Sequence, residues 1–243
     1  MKKLRFLPQE ILKLIACVSM LIDHVGVVCF PELTVLRIIG RLAFPIYCFL
    51  LCQGMKHTRS PLKYLLRLFI CIFLAELPFD YAIYGGLNWQ HQNVMLTLFL
   101  GGCMVLCFRY MPNKLLQAAL VIPFAMLADL LRCDYGATGI LMIAVFALLQ
   151  GASQWIGLLL CCFVCDAGYY IMVLEALPQV GISYLLQWML KNPPMELAAI
   201  FAMIPISLYS GRKLTRSKTL QMGFYLYYPL HLAVLALLAN FIL

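Results

Sequence analysis

Asp23 and His24 stand side by side in one apolar stretch, Arg37 and Arg41 four apart in the next, and Glu76 and Asp80 four apart in the third. Asp129, Asp166 and His231 interrupt later apolar stretches. An ionisable side chain in such surroundings is costly unless it faces a partner, water or a bundle interior. This many of them require a shared polar interior. A spacing of four puts each pair on one helical face. Adjacent residues point about 100° apart on a helix, so His24 can face a cavity while Asp23 holds an arginine. Histidine moves protons near neutral pH, and a neighbouring carboxylate can set its tautomer. His24 is therefore the catalytic candidate, with Asp23 beside it. Arg37, Arg41, Glu76, Asp80 and Asp129 serve equally well as interhelical ion pairs. His231 can instead cap the break at Pro229, and Asp166 reads as a helix–helix contact. Tyr225, Tyr227 and Tyr228 suit an interfacial aromatic belt.

The elements that must carry these residues are set by composition. Of 243 residues, 64% are hydrophobic and 12% charged, about half the charged share of a soluble domain. A soluble protein of this size exposes too much surface for so few charges. That excludes a cytosolic enzyme, a disordered regulator and a nucleic-acid binder. With about 20 apolar residues needed per crossing, the chain reads as an all-α polytopic membrane protein. The expectation is a single bundle of about nine transmembrane helices over 11–30, 33–53, 62–84, 94–110, 115–131, 136–149, 155–174, 195–209 and 223–241. Residues 180–190 are expected to form one short interfacial or re-entrant helix. Pro45 and Pro78 fall inside spans and can kink them. No internal repeat divides residues 1–243, so one domain is expected.

Eighteen Lys and Arg against ten Asp and Glu give a net charge of +8. The basic residues cluster: Lys2, Lys3 and Arg5; Lys56, Arg59 and Lys63; Arg109 and Lys114; Arg212, Lys213, Arg216 and Lys218. Nine crossings put all four clusters on one side, which the positive-inside rule assigns to the cytoplasm. The N-terminus is then cytoplasmic and the C-terminus extracytoplasmic. At 1.5 Å per residue, His24 lies roughly 20 Å along its helix, in the outer half with Arg37, Arg41, Glu76, Asp80 and Asp129. The start of the chain reads as a retained span, since no small-residue cleavage site follows its apolar core. Most of the eleven cysteines sit in apolar runs, where cysteine packs as a small hydrophobe; no metal site is expected. On these residues alone, a proton-coupled or small-solute transporter and an enzyme both remain open.

The blocks Met20-Leu21-Ile22-Asp23-His24-Val25-Gly26, Gly40-Arg41-Leu42-Ala43-Phe44-Pro45 and Gln53-Gly54-Met55-Lys56-His57-Thr58 resemble successive motifs of the TraX family. Glu76-Leu77-Pro78-Phe79-Asp80, Gln92-Asn93-Val94 with Thr97-Leu98, Asp134-Tyr135-Gly136 with Gly139, and Tyr228-Pro229-Leu230-His231 follow in order. The resemblance spans nearly the whole chain. It implies a membrane-bound acetyltransferase of the bacterial cytoplasmic membrane, related to the wider class of membrane acyltransferases, with N-acetylation of conjugative pilin as the founding activity. It places the catalytic histidine at His24, and a supporting polar network at Asp23, Arg41, Glu76, Asp80, Asn93, Asp134 and His231. Tyr209-Ser210-Gly211 departs from the family's Tyr-Asn-Gly.

Under that resemblance the partners are cytosolic acetyl-CoA as cosubstrate, membrane lipids, and a peptide, protein or glycan acceptor; nucleic acid is not among them. Lys56, Arg59, Lys63, Arg212 and Lys213 suit the phosphates of CoA. His24 either takes a proton from the attacking amine or hydroxyl or briefly accepts the acetyl group. Arg41 or Asn93 is the expected oxyanion donor. The acceptor stays open between a pilin-like amino terminus, a secreted peptide amine and a glycan hydroxyl, the last making the protein a glycan O-acetyltransferase. A transporter remains the competing class.

Overall fold

The computed structural model describes residues 5–215 and 217–241. Lys2, Lys3 and Arg216 of the basic clusters lie outside the described residues. The helices follow in the order α1 (Gln9–Cys29), α2 (Thr34–Gly40), α3 (Ala43–His57), α4 (Pro61–Tyr84), α5 (Val94–Phe108), α6 (Lys114–Leu130), α7 (Gly136–Leu148), α8 (Ala152–Cys165), α9 (Ala167–Val180) and α10 (Ile182–Lys191). A 3-10 helix (Glu196–Ala202), α11 (Met203–Ser207) and α12 (Lys218–Phe241) complete the chain. Local chemistry sets several boundaries. Pro61 opens α4 where its missing N–H is not needed, and Gly85 closes it in the left-handed region at φ 71°. Asn93 and Asn113 cap α5 and α6 by accepting from Met95 N (3.0 Å) and Leu115 N (2.8 Å).

The expected count of about nine transmembrane helices does not hold. By length and composition, three helices are able to cross a membrane among the described residues: Gln9–Cys29, Thr34–His57 (α2 and α3 taken together) and Lys218–Asn240. A fourth is added only if α8 and α9, bent by 59° at Asp166, count as one span. The other expected crossings fail for separate reasons. Helix α4 is long enough but carries Lys63, Arg67, Glu76 and Asp80. Helices α5, α6 and α7 have 15, 17 and 13 residues, shorter than the roughly 20 that a bilayer core takes. Residues 195–209 form a 3-10 turn and a five-residue helix. The expected short helix at 180–190 is α10, hinged to α9 at Gly181. The chain is a membrane-associated protein with at least a few apolar spans.

Helix directions follow from cross-contacts. The first and last helices run parallel: Lys13 sits over the Phe224 ring, Tyr227 donates to the Cys17 carbonyl (2.9 Å), and His24 meets His231. Helix α4 runs with them, Arg67 facing the Tyr225 ring and Asn240 reaching the Tyr81 carbonyl. Helix α3 runs against α1, with Tyr47 on Cys17 (3.2 Å) and Arg41, just ahead of it, on Asp23. Pro45 falls in the first turn of α3 and Pro78 lies inside α4 without ending it. Backbone pairing closes the two ends. Leu7 pairs with Leu208 and Ser210 at the end where α1 begins, and Gln92 pairs with Arg132 and Asp134 at the opposite end. Ile46, Met55, Met104, Ile140, Ile143 and Leu232 are fully buried between them.

One of the closest approaches in the bundle is at Gly40. A Cβ there would overlap the Asp23 side chain, so only glycine lets α2 lie against α1 with Asp23 between them. Gly86, by contrast, has open space around it. We expect Gly40→Ala to lower stability by about 1–3 kcal/mol, the usual range for overpacking, and Gly86→Ala to be close to neutral. Thermal unfolding in detergent measures both, and equal melting temperatures for the two would contradict the close approach.

Candidate active site

The C-terminal half of α1 delivers Asp23 to two arginines. Its Oδ2 accepts from Arg37 Nη1 (2.6 Å) and its Oδ1 from Arg41 Nη2 (3.2 Å). Arg41 also donates from Nη1 to Glu196 (2.7 Å) and to the Tyr135 hydroxyl (3.0 Å). Two guanidiniums and two carboxylates thus balance in a largely buried cluster, Arg41 being 9% exposed and Arg37 25%. Arg41 spends Nη1 and Nη2 on these partners, and its Nε is buried without one. Arg37 uses only Nη1, and among the described residues its Nη2 and Nε have no partner.

Asp23 therefore does not orient the His24 ring. Another histidine does. His24 Nδ1 lies 2.7 Å from His231 Nε2, and His231 Nδ1 lies 2.8 Å from the Tyr227 carbonyl one turn back on α12. A carbonyl only accepts, so the proton of neutral His231 sits on Nδ1. Its Nε2 is then an acceptor, and His24 donates to it from Nδ1. The proton order assigned this way leaves His24 Nε2 as a bare lone pair, with no partner in the chain among the described residues.

His24, Arg37, Arg41, Tyr135 and Tyr228 line one cavity of about 190 Å³. Tyr135 takes a left-handed backbone at φ 62°, uncommon for a side chain of its size. Its ring stacks on Phe44 at 3.9 Å while its hydroxyl meets Arg41. Asp134 and His91 line the cavity as well, 3.7 Å apart. His91 lies in the loop after α4, and its contact with Asp134 raises its pKa above the ordinary histidine value.

Residues 8–239 match the family described as TraX protein. The chain belongs to the TraX family. Among curated relatives, an uncharacterized protein of Rickettsia prowazekii, RP591, is 30% identical over 162 residues, 64% of this chain and 60% of that protein. A probable fimbrial assembly protein FimC, serogroup H1, of Dichelobacter nodosus is 28% identical over 242 residues, 92% of each. No solved structure matches. Membership in TraX supports an acetyltransferase-type activity in general terms.

The structure separates the polar residues singled out in the sequence into two groups. Asp23, His24, Arg37, Arg41, Asp134 and His231 meet at or behind the cavity. Glu76, Asp80, Asn93 and Asp129 do not line it. Asn93 spends its amide on Glu76 and on the Ile72 carbonyl (3.0 Å) and its oxygen on the α5 cap, leaving no donor for an oxyanion. Asp80 accepts from Asn88 N (3.0 Å) and Asp129 from Ala137 N (2.6 Å) at the start of α7. Asp166 accepts from Leu197 N (3.2 Å) where the 3-10 helix begins. Among the described residues neither Glu76 nor Asp80 pairs with an arginine. Glu196, Tyr135 and His91 were not foreseen from the sequence. Only the Asp134-Tyr135-Gly136 motif offered a signal for one of them.

A second, larger cavity of about 1320 Å³ opens at the end where α1 begins. Arg5, Lys56 and Arg109 line it with Gln53, Trp155 and Tyr209. Of the five residues expected to hold phosphate, only Lys56 is among its walls; Arg59, Lys63, Arg212 and Lys213 are not.

Arg41 and Arg37 should differ when removed. Arg41→Met leaves Glu196 as a buried carboxylate without its guanidinium, which costs about 3–5 kcal/mol. Arg37→Met leaves Asp23 with Arg41 and is expected to lower the melting temperature in detergent far less. The reverse order would contradict the central place given to Arg41.

Proposed function

We propose that this TraX protein transfers an acetyl group from cytosolic acetyl-CoA to an amine or hydroxyl acceptor on the extracytoplasmic side of a bacterial cytoplasmic membrane. The observation that carries the reading is His24 Nε2, a lone pair without a partner among the described residues, on a cavity that Arg37 also lines with donors unspent. His24 Nε2 takes the proton released as the acceptor nitrogen or oxygen bonds to the acetyl carbon, then returns it to the departing thiolate sulfur as the carbon–sulfur bond breaks. His231 shares the charge this creates, because it holds His24 Nδ1–H and is itself held by the Tyr227 carbonyl. Arg37 Nη2 and Nε, rather than Arg41 or Asn93, supply donors for the developing oxyanion.

The second cavity supports an acyl donor arriving from the basic end. Arg5, Lys56 and Arg109 present three cations, Trp155 and Tyr209 aromatic faces, and the lining holds no carboxylate. That donor set fits phosphates and an adenine, and these residues would hold the nucleotide of CoA, which supplies the activated acetyl thioester. On α3, Phe44 and Tyr47 face the first cavity while Phe49, Cys52 and Lys56 face the second. Arg5, Lys56 and Arg212 lie at the same end, which the positive-inside rule assigns to the cytoplasm. Parallel α1 and α12 then put the N-terminus inside and the C-terminus outside. A peptide or pilin-like amino terminus is the favoured acceptor, in keeping with the fimbrial assembly name of the Dichelobacter nodosus relative.

Purified protein in detergent, given acetyl-CoA and a peptide with a free amino terminus, is expected to release CoA thiol and add one acetyl mass to the peptide. His24→Ala should lose about 10²–10⁴-fold in turnover, the usual worth of a positioned general base, at unchanged melting temperature. Near-normal turnover in that folded variant would refute the assignment. Neutralising Arg5, Lys56 and Arg109 together should raise KM for acetyl-CoA more than it lowers kcat, since phosphate contacts lie away from the reacting bond. Neutralising Arg59 and Lys63 should change neither, and a KM effect confined to that pair would move the nucleotide site.

A further inference from the structure

The cavity holds a second histidine that the mechanism above does not use. His91 lies in the loop between α4 and α5, with Phe79 stacked near it and Asp134 3.7 Å from its Nε2. Every other carboxylate at this end of the site is committed. Asp23 is bonded to Arg37 and Arg41, and Glu196 to Arg41. Those four charges cancel, and Asp134, which accepts from Tyr135 N (3.1 Å) and faces His91, is the remaining carboxylate on the cavity wall. It faces Arg41 and Asp23 at longer range and the Tyr84 phenol. His91 is faced by Asp134 from the turn before α7 and by Glu76 and Tyr84 from α4.

We infer that Asp134 and His91 receive an amine acceptor as its ammonium ion and that His91 removes the first proton. The inference rests on the acetyl-transfer reading. Its chemical ground is a proton count. An amine acceptor reaches the site mostly as R–NH₃⁺, which has no lone pair to attack with. Conversion of R–NH₃⁺ and an acetyl thioester into an amide and a thiol releases one proton to solvent overall. Two protons therefore leave nitrogen. The first goes to His91, whose ring is 37% exposed and passes it to water. The second leaves as the carbon–nitrogen bond forms, goes to His24 Nε2 and ends on the thiolate sulfur as the carbon–sulfur bond breaks. A hydroxyl acceptor gives up one proton only and has no use for a second base. The contact with Asp134 raises the proton affinity of His91 above that of an ordinary histidine, which favours transfer from an ammonium to the ring in its neutral form.

The test uses full-length protein in detergent, acetyl-CoA and a short peptide with a free α-amine, whose pKa is about 8. At about pH 7 roughly a tenth of that amine is free base, and at about pH 9 most of it is. His91→Gln should therefore lose about tenfold in kcat/KM at the lower pH and recover to near wild type at the higher one. Asp134→Asn should show the same recovery, with KM for the peptide raised at the lower pH, and it keeps the test standing if the His91 variant does not fold. His24→Ala should stay inactive at both. Parallel pH profiles for wild type and both variants would overturn the inference and leave the acetyl-transfer reading intact. Equal losses at both pH values would also overturn it, marking the pair as scaffolding. No transfer by the wild type at either pH would remove both readings.

Discussion

Asp23 accepts hydrogen bonds from two arginines at once, and the polar end of the bundle is arranged around keeping that possible. Buried charges are stable only when paired and hydrogen-bonded, so each partner constrains an element. Gly40 removes the Cβ that would collide with Asp23. Arg41 stands at the break between α2 and α3, where it reaches α1, the 3-10 helix and the turn before α7 together. Tyr135 accepts an unfavourable backbone to meet it. The cavity wall is thereby a by-product of charge balance, and Arg37 is left with donors to spare.

The sequence made the intramembrane charges legible because an ionisable residue in an apolar run stands out whatever the fold. Asp23, His24, Arg41 and His231 were found that way. What it did not reveal is which charge meets which. Adjacency suggested that Asp23 governs the His24 ring, yet a helix sends neighbours to different faces, and the ring's partner comes from α12. Glu196, His91 and Tyr135 escaped notice because they sit at element ends, where charge and aromaticity are ordinary. Asn93, Glu76 and Asp129 were legible as polar and misread as available. Their hydrogen bonds go to one another, to the Ile72 carbonyl inside α4 and to the starts of α5 and α7, which backbone accounting requires and composition does not display.

The crossing count failed for a related reason. Helix breaks are visible in sequence when loops are polar. Here one is not. The bend at Asp166-Ala167 offers one charged residue between apolar stretches, and the chain turns there without changing character. Apolar runs thus joined segments that the backbone separates, and made short packed helices look like full spans. The parallel pairing of α1 with α12 is likewise outside what periodicity can report.

That pairing has a consequence for biogenesis. The bond between His24 and His231 joins residues 207 apart, the first helix of the described chain to the last. A ribosome delivers the first of them long before the second. Until α12 is inserted, His24 has no partner to fix its tautomer, and Tyr228 and Phe224 are missing from the cavity wall. The His24 ring is therefore among the last parts of the cavity to be fixed, although it is among the first residues made. A chain interrupted during synthesis carries the histidine but not the partner that holds its Nδ1.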